Sequence, residues 1–407
     1  MSVEKQFWGA SQRRLPLSRS PLVNLMGLAV AVSIAFTVIG LVELWPHDHT
    51  IRARGFASPK TIAAKVLRAD RVPCQGGATC RRVSVELLEG PAKGKTSRFT
   101  IIGSVGSLAI GRGDHIRVYE NKLPAGAVSA AGHKVDRYSF SDFDRRSPML
   151  WLAIAFASLL LFTGRLRGLR ALIGLGLSLA LVIEFVIPAI LHGKPPVEVA
   201  VVGAFAVMLV TMPLSYGLGA KMISAWLGTA VSLLLAAGLA SGAASLAHLS
   251  GVSSDESIYL GATQSGLSLR GLLVAGMVIG ALGVLVDLTV SQASTVVALR
   301  RANPKLGFTG LFSGATEVGH DHIAATVNTL VFAYAGATLP VLLIFSIGGT
   351  SFADAVNGEA VAEQIIAALV GSIGLIASMP ITTALAALLA PRMSDRQLAQ
   401  AGQAHTH

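Results

Sequence analysis

Eight apolar runs, each near the length that crosses a bilayer, constrain this chain more than any other feature. They cover residues 22–45, 148–164, 171–191, 197–216, 225–249, 271–299, 322–347 and 365–390. A hydrocarbon core of ~30 Å takes about 20 helical residues, because a helix rises ~1.5 Å per residue and satisfies its own backbone hydrogen bonds. Composition agrees: only 14% of the 407 residues are charged and 52% are hydrophobic, against roughly 25% charged in soluble domains. A soluble enzyme, a disordered chain and a fibrous protein are excluded. The expected fold is an α-helical polytopic membrane protein of about eight transmembrane helices. The first run ends at Trp45-Pro46 without a small-x-small cleavage site. It is also longer than a signal-peptide core, so it reads as an uncleaved anchor.

Loop charges set the orientation. Lys5, Arg13, Arg14 and Arg19 precede the first span, and Arg165, Arg167 and Arg170 separate the second from the third. Lys221, then Arg300, Arg301 and Lys305, then Arg392 and Arg396 occupy later alternate loops, while the intervening loops carry Asp255, Glu256, Asp354, Glu359 and Glu363. An even number of spans places both termini in the cytoplasm. The expected organisation is a basic cytoplasmic N-terminus (1–21), helix one (22–45), an extracytoplasmic β-rich domain (46–147), a seven-helix domain (148–390) and a disordered cytoplasmic tail (391–407). The net charge of +11 is explained by these loops and the polar block, so no nucleic-acid partner is implied.

The block after the first span alternates short β-type runs (61–67, 82–88, 98–102, 115–119 and 138–140) with turn signals such as Gly76-Gly77, Gly90-Pro91 and Gly111-Arg-Gly113. Five short strands at this spacing suggest a small barrel or sandwich, of OB-like form. A core this small gains from a covalent staple. The only cysteines, Cys74 and Cys80, fall here on the oxidising side and are expected to form a disulfide. Arg112-Gly113-Asp114 reads as a tight turn rather than an adhesion motif.

An ionisable side chain inside a span costs roughly 2.5–3.5 kcal/mol on insertion scales, so Asp287 and Glu184 are the leading functional candidates. Gly276, Gly280, Gly283, Asp287, Ser291 and Ser294 recur at steps of three and four and share one helix stripe. Small residues admit a neighbouring helix. Gly276, Gly280 and Gly283 are therefore read as helix-packing positions, with Asp287 facing the bundle interior as polar glue or as a proton or cation site. Glu184 lies four residues before Pro188, where proline frees a backbone carbonyl. Entering the seventh span, Glu317, Asp321, Ala324 and Asn328 share a face beside His320 and His322. Capping at a helix start and a substrate or ion gate both fit that cluster. Glu317-x-x-His320 has no second half of a di-iron set, so no metal is assigned. No nucleophile–base pair, Walker loop or dinucleotide fingerprint stands in a usable context, so neither an enzyme nor a cofactor is expected.

Ile279-Gly-Ala-Leu-Gly-Val-Leu-Val-Asp287, Ser313-Gly314, Gly319-His-Asp321 and the run Thr326–Tyr334 with Gly336 resemble the YibE/F family of bacterial multipass membrane proteins, and Gly217-Leu-Gly-Ala-Lys221 also fits. The resemblance spans roughly residues 45–390 and is most specific over 287–334. Where the family usually has Arg-Asp, this chain has His320-Asp321. The resemblance implies a permease in the bacterial plasma membrane. Two functional classes fit the residues. One is a secondary transporter of an unidentified small solute or ion, proton-coupled through Asp287. The other is a non-transporting scaffold or sensor whose β domain binds an extracytoplasmic ligand or partner. Both share the lipid bilayer as surroundings.

Overall fold

The computed structural model describes residues 21–46, 60–73, 79–101, 109–121, 136–217, 219–264 and 266–393. The basic N-terminus, the C-terminal tail and Cys74 lie outside the described residues. The chain divides into two compact units, Gly55–Arg165 and Met1–Arg54 with Leu166–His407.

The first unit is built on five antiparallel strands: β1 (Thr61–Pro73), β2 (Thr79–Leu87), β3 (Thr96–Ile101), β4 (His115–Glu120) and β5 (Tyr138–Phe143). They lie where the β-type runs were expected, in the order β3-β2-β1-β4-β5. Register shifts between Val66 and Arg68 and between Arg117 and Val118 bend the sheet. It curls until its edge strands β3 and β5 approach, a half-barrel of the partly open OB kind. Alternation turns Ala64, Val66, Val83, Val85, Ile116 and Val118 to one closed core. Gly113 adopts φ 95°, and the Asp114 carboxylate accepts from the Gly111 N–H at 2.7 Å. Arg112-Gly113-Asp114 is thus a tight turn before β4. Cys80 is buried on β2 opposite Val72 and is disulfide-bonded.

The first unit also holds the start of α2 (Arg146–Leu181), up to Arg165; the other unit holds the rest of α2 and the long helices α1 (Pro21–Leu44), α4 (Pro196–Tyr216), α5 (Ala220–Leu246), α7 (Leu269–Ala302), α8 (Phe308–Ile347) and α10 (Glu359–Leu389). A π-helical turn, Val182–Val186, joins α2 to α3 (Ile187–Leu191), while α6 (Asp255–Thr263) and α9 (Phe352–Asn357) are short connectors. Among the described residues, seven helical elements are long and apolar enough to cross a membrane, against the eight expected. The difference lies in one element of 46 residues, Arg146–Leu191, which contains both expected spans 148–164 and 171–191. Arg165 breaks it with φ 47° and ψ −128°, a conformation that L side chains rarely adopt.

The centre of this unit is α5, α7 and α10, and alanines make their approach close. Ala236, Ala240, Ala244, Ala281, Ala293 and Ala387 are all buried. The tightest point is Gly228 of α5: a Cβ there would collide with the Thr382 hydroxyl and come within 3.3 Å of the Thr382 Cα on α10. Glycine is required because the obstacle includes backbone. Polar groups sit in the same layer. The Thr229 and Thr289 hydroxyls are 2.6 Å apart, and the Thr383 hydroxyl donates to Gln292 Oε1 at 3.1 Å.

Two outcomes test this account. Gly228→Ala should destabilise the membrane unit by about 1–3 kcal/mol, the usual consequence of overpacking, whereas Gly276→Ala, whose Cβ would meet nothing within 4 Å, should leave thermal unfolding in detergent unchanged or raise its midpoint. Non-reducing peptide mapping should return one linked pair containing Cys74 and Cys80; recovery of two free thiols from fresh protein would reject the bridge.

Candidate functional site

Helix α7 has two unlike faces. Ser268 caps its start, its hydroxyl accepting from the Gly271 N–H at 3.0 Å. Val278, Ala281, Leu285 and Leu288 are buried in the bundle. On another side Gly276, Gly280, Gly283 and Asp287 are uncovered by the chain, and Ser291 and Ser294 are partly covered. The six sequence-selected residues do share a stripe, but the stripe is not a packing seam. No atom comes within 4 Å of a Cβ built on Gly276 or Gly283, and only the Tyr334 hydroxyl, at 3.5 Å, approaches Gly280. The expectation that these glycines pack a helix, and that they turn Asp287 inward, is corrected. The neighbours of α7 are docked on its alanine-rich face, and the glycine stripe is left open.

Asp287 stands on that open stripe with 76% of its side chain exposed. His322 of α8 faces it, Nε2 lying 3.9 Å from Asp287 Oδ2 and Nδ1 3.3 Å from the Ser291 hydroxyl. This carboxylate–imidazole–hydroxyl set was missed as a unit, although each member was singled out. The signal was available: α7 and α8 form an antiparallel hairpin about the 303–307 turn, and Asp287 and His322 stand almost equally far from Lys305. Lys221 lies over the Tyr216 ring, 5.4 Å from its centroid.

A cavity opens along each end of the stripe. One, of about 370 Å³, is lined by Ser291, Ser294 and Thr295 with Lys221 and Arg301. The other, of about 300 Å³, reaches Gly276 and Tyr334 and is lined by Ser253, Ser257 and Glu363. Glu363 was read only as a loop charge. It is 5% exposed, because α10 begins at Glu359 and carries it inside the bundle. The arrangement is an open stripe along α7 with an acid–imidazole pair midway and a cavity toward each end.

The other candidates lie apart from this set. Glu184 sits uncovered in the π-helical turn Val182–Val186, at the carbonyl that Pro188 deprives of its donor. Glu317, Asp321, Ala324 and Asn328 do share one face of α8, and all are uncovered. α8 starts at Phe308, so this segment is helix interior and the capping reading is corrected. Gln292 was not anticipated: it is 1% exposed, its Nε2 has no partner, and Gly319 leaves room for it. Among the described residues no group of three or more His, Cys, Asp or Glu is placed to hold a metal.

The long apolar helices define a multipass membrane protein. The family profile for YibE/F-like proteins matches residues 152–392, more than half of the chain. The chain belongs to the YibE/F family. No curated protein and no solved structure matches it.

Proposed function

We propose that the protein is a non-enzymatic membrane permease, a secondary transporter coupled to protons through Asp287. The observation that carries this reading is the exposure of a carboxylate midway along an apolar helix, on an open stripe with a cavity toward each end. Facing lipid, that carboxylate would cost roughly 2.5–3.5 kcal/mol or more, so its position calls for water or solute. A scaffold gains nothing from such a position, whereas a transporter needs a titratable group in its path. His322 supports the same reading: it sets an imidazole nitrogen 3.9 Å from that carboxylate, a second proton-carrying group beside the first.

The same reading fixes a topology in the bacterial plasma membrane. The 46 residues of Arg146–Leu191 would span about 69 Å as straight helix, enough for two crossings of a ~30 Å core. With two crossings, Arg165, Arg167, Arg170, Lys221, Arg300, Arg301 and Lys305 all fall on the cytoplasmic side with both termini. With one crossing, Lys221 and the 300–305 cluster face outward, against the positive-inside rule. An impermeant maleimide applied to intact cells should leave Lys305→Cys unmodified; modification there would overturn the double crossing.

Proton flux into proteoliposomes should be pH-dependent in the native protein and abolished in Asp287→Asn, which keeps shape and hydrogen bonding but does not titrate. Undiminished pH-dependent flux in that variant would remove Asp287 from the mechanism. Asp287→Glu, which restores a titrating carboxylate, should recover part of the flux.

A further inference from the structure

Glu363 has a buried carboxylate with too few partners. Its Oε2 accepts from the Ser253 hydroxyl at 2.5 Å, while Oε1 is shielded and has no hydrogen-bond partner. An ionised carboxylate offers about four acceptor sites, and burying one without compensation costs several kcal/mol. Glu359, one turn earlier, shows what a structural carboxylate does here. It accepts from the Ser250 and Gly251 N–H groups at 2.5 and 2.8 Å and from the Ser250 hydroxyl, and so pins the loop to α10. Glu363 is left over from that task.

The cavity that Glu363 lines supplies the remaining chemistry. Ser253, Ser254, Ser257 and Tyr334 bring hydroxyls to it, and Leu272, Leu273 and Met277 give it an apolar wall. A volume of about 300 Å³ far exceeds a bare metal ion or a proton and matches the smallest organic-ligand sites. The surrounding charge selects sign. Asp255, Glu256, Glu359 and Glu363 stand on the neighbouring helices against one guanidinium, Arg270, whose Nε is committed to the Leu249 carbonyl at 2.7 Å. Glu256 stays ionised at neutral pH, its carboxyl drawn below the usual range by a backbone hydrogen bond and then by the Ser254 hydroxyl.

We infer that this cavity binds a small organic cation, its ammonium on Glu363 and its apolar body against Leu272, Leu273 and Met277. Binding itself stands apart from the permease reading; only the later passage of the bound cation along the α7 stripe, which begins at Gly276, rests on it.

The test is equilibrium binding of isopentylamine, protonated at pH 7, to the purified full-length protein in nanodiscs, read by calorimetry. Binding should be saturable in the native chain, absent for the uncharged isostere isopentanol, and not displaced by an equal concentration of sodium. Glu363→Gln should weaken it about tenfold or more, the usual consequence of losing a charge-assisted hydrogen bond. Gly276→Leu places a side chain into space that is open at the cavity wall. It should block binding with Glu363 intact, so the inference is tested even if Glu363→Gln misfolds. No saturable amine binding, native-like binding in both variants, or equal displacement by sodium would overturn the site. Binding without any flux in proteoliposomes would refute the permease reading and leave the site standing.

Discussion

The close approach of α5 to α10 at Gly228 and Thr382 is the contact on which the membrane unit depends. Lipid tails are as apolar as leucine, so transmembrane helices associate through packing and interhelical hydrogen bonds rather than through exclusion of water. Glycine and a ladder of alanines allow that packing, and α7 docks on the pair through its own alanine face. The Thr229–Thr289 and Thr383–Gln292 contacts then form where the three helices are nearest. Because α7 is held from that side, its opposite stripe is released from any packing duty. The open stripe reflects where the small residues are used: Gly228 of α5 is filled by Thr382, whereas Gly276 and Gly283 of α7 meet no neighbour.

Much of the architecture was legible in the sequence. The apolar runs locate the helices, since the bilayer demands about 20 residues of one character. Period-two runs between glycine and proline turns locate the five strands. The π-helical turn ahead of Pro188 reflects the steric demand of one ring. Direction was not legible. Periodicity shows that Gly276, Gly283 and Asp287 share a stripe, but a missing side chain permits close packing and an open groove equally well, and only the neighbours decide. The basic run from Arg165 to Arg170 marked an interruption, but its form was hidden: the helix is broken only at Arg165, and nothing in Gly164-Arg165-Leu166 forces a positive φ.

Glu363 shows a second kind of concealment. A hydropathy window starts a span where charge ends, so the seventh apolar stretch of this domain begins after Glu363. The α10 helix begins earlier, at Glu359, and its first turns are polar because one carboxylate fastens the Ser250–Gly251 loop and the other lines a cavity. In the same way α8 begins at Phe308, and residues 308–321 are helical although their composition places them outside an apolar window. In both cases the helix runs on into a polar end that an apolar window leaves out.

The two carboxylates of α7 and α10 differ in how freely their environments let charge change. Glu363 is enclosed, held by one serine hydroxyl, and surrounded by further acids. Taking up a cation relieves both the missing partner and the repulsion, so that site favours occupancy. Asp287 is exposed and faces the His322 imidazole at 3.9 Å. An enclosed carboxylate on α10 and an exposed one on α7 thus differ in the company their folds give them, and the cavity lined by the first reaches the stripe of the second at Gly276.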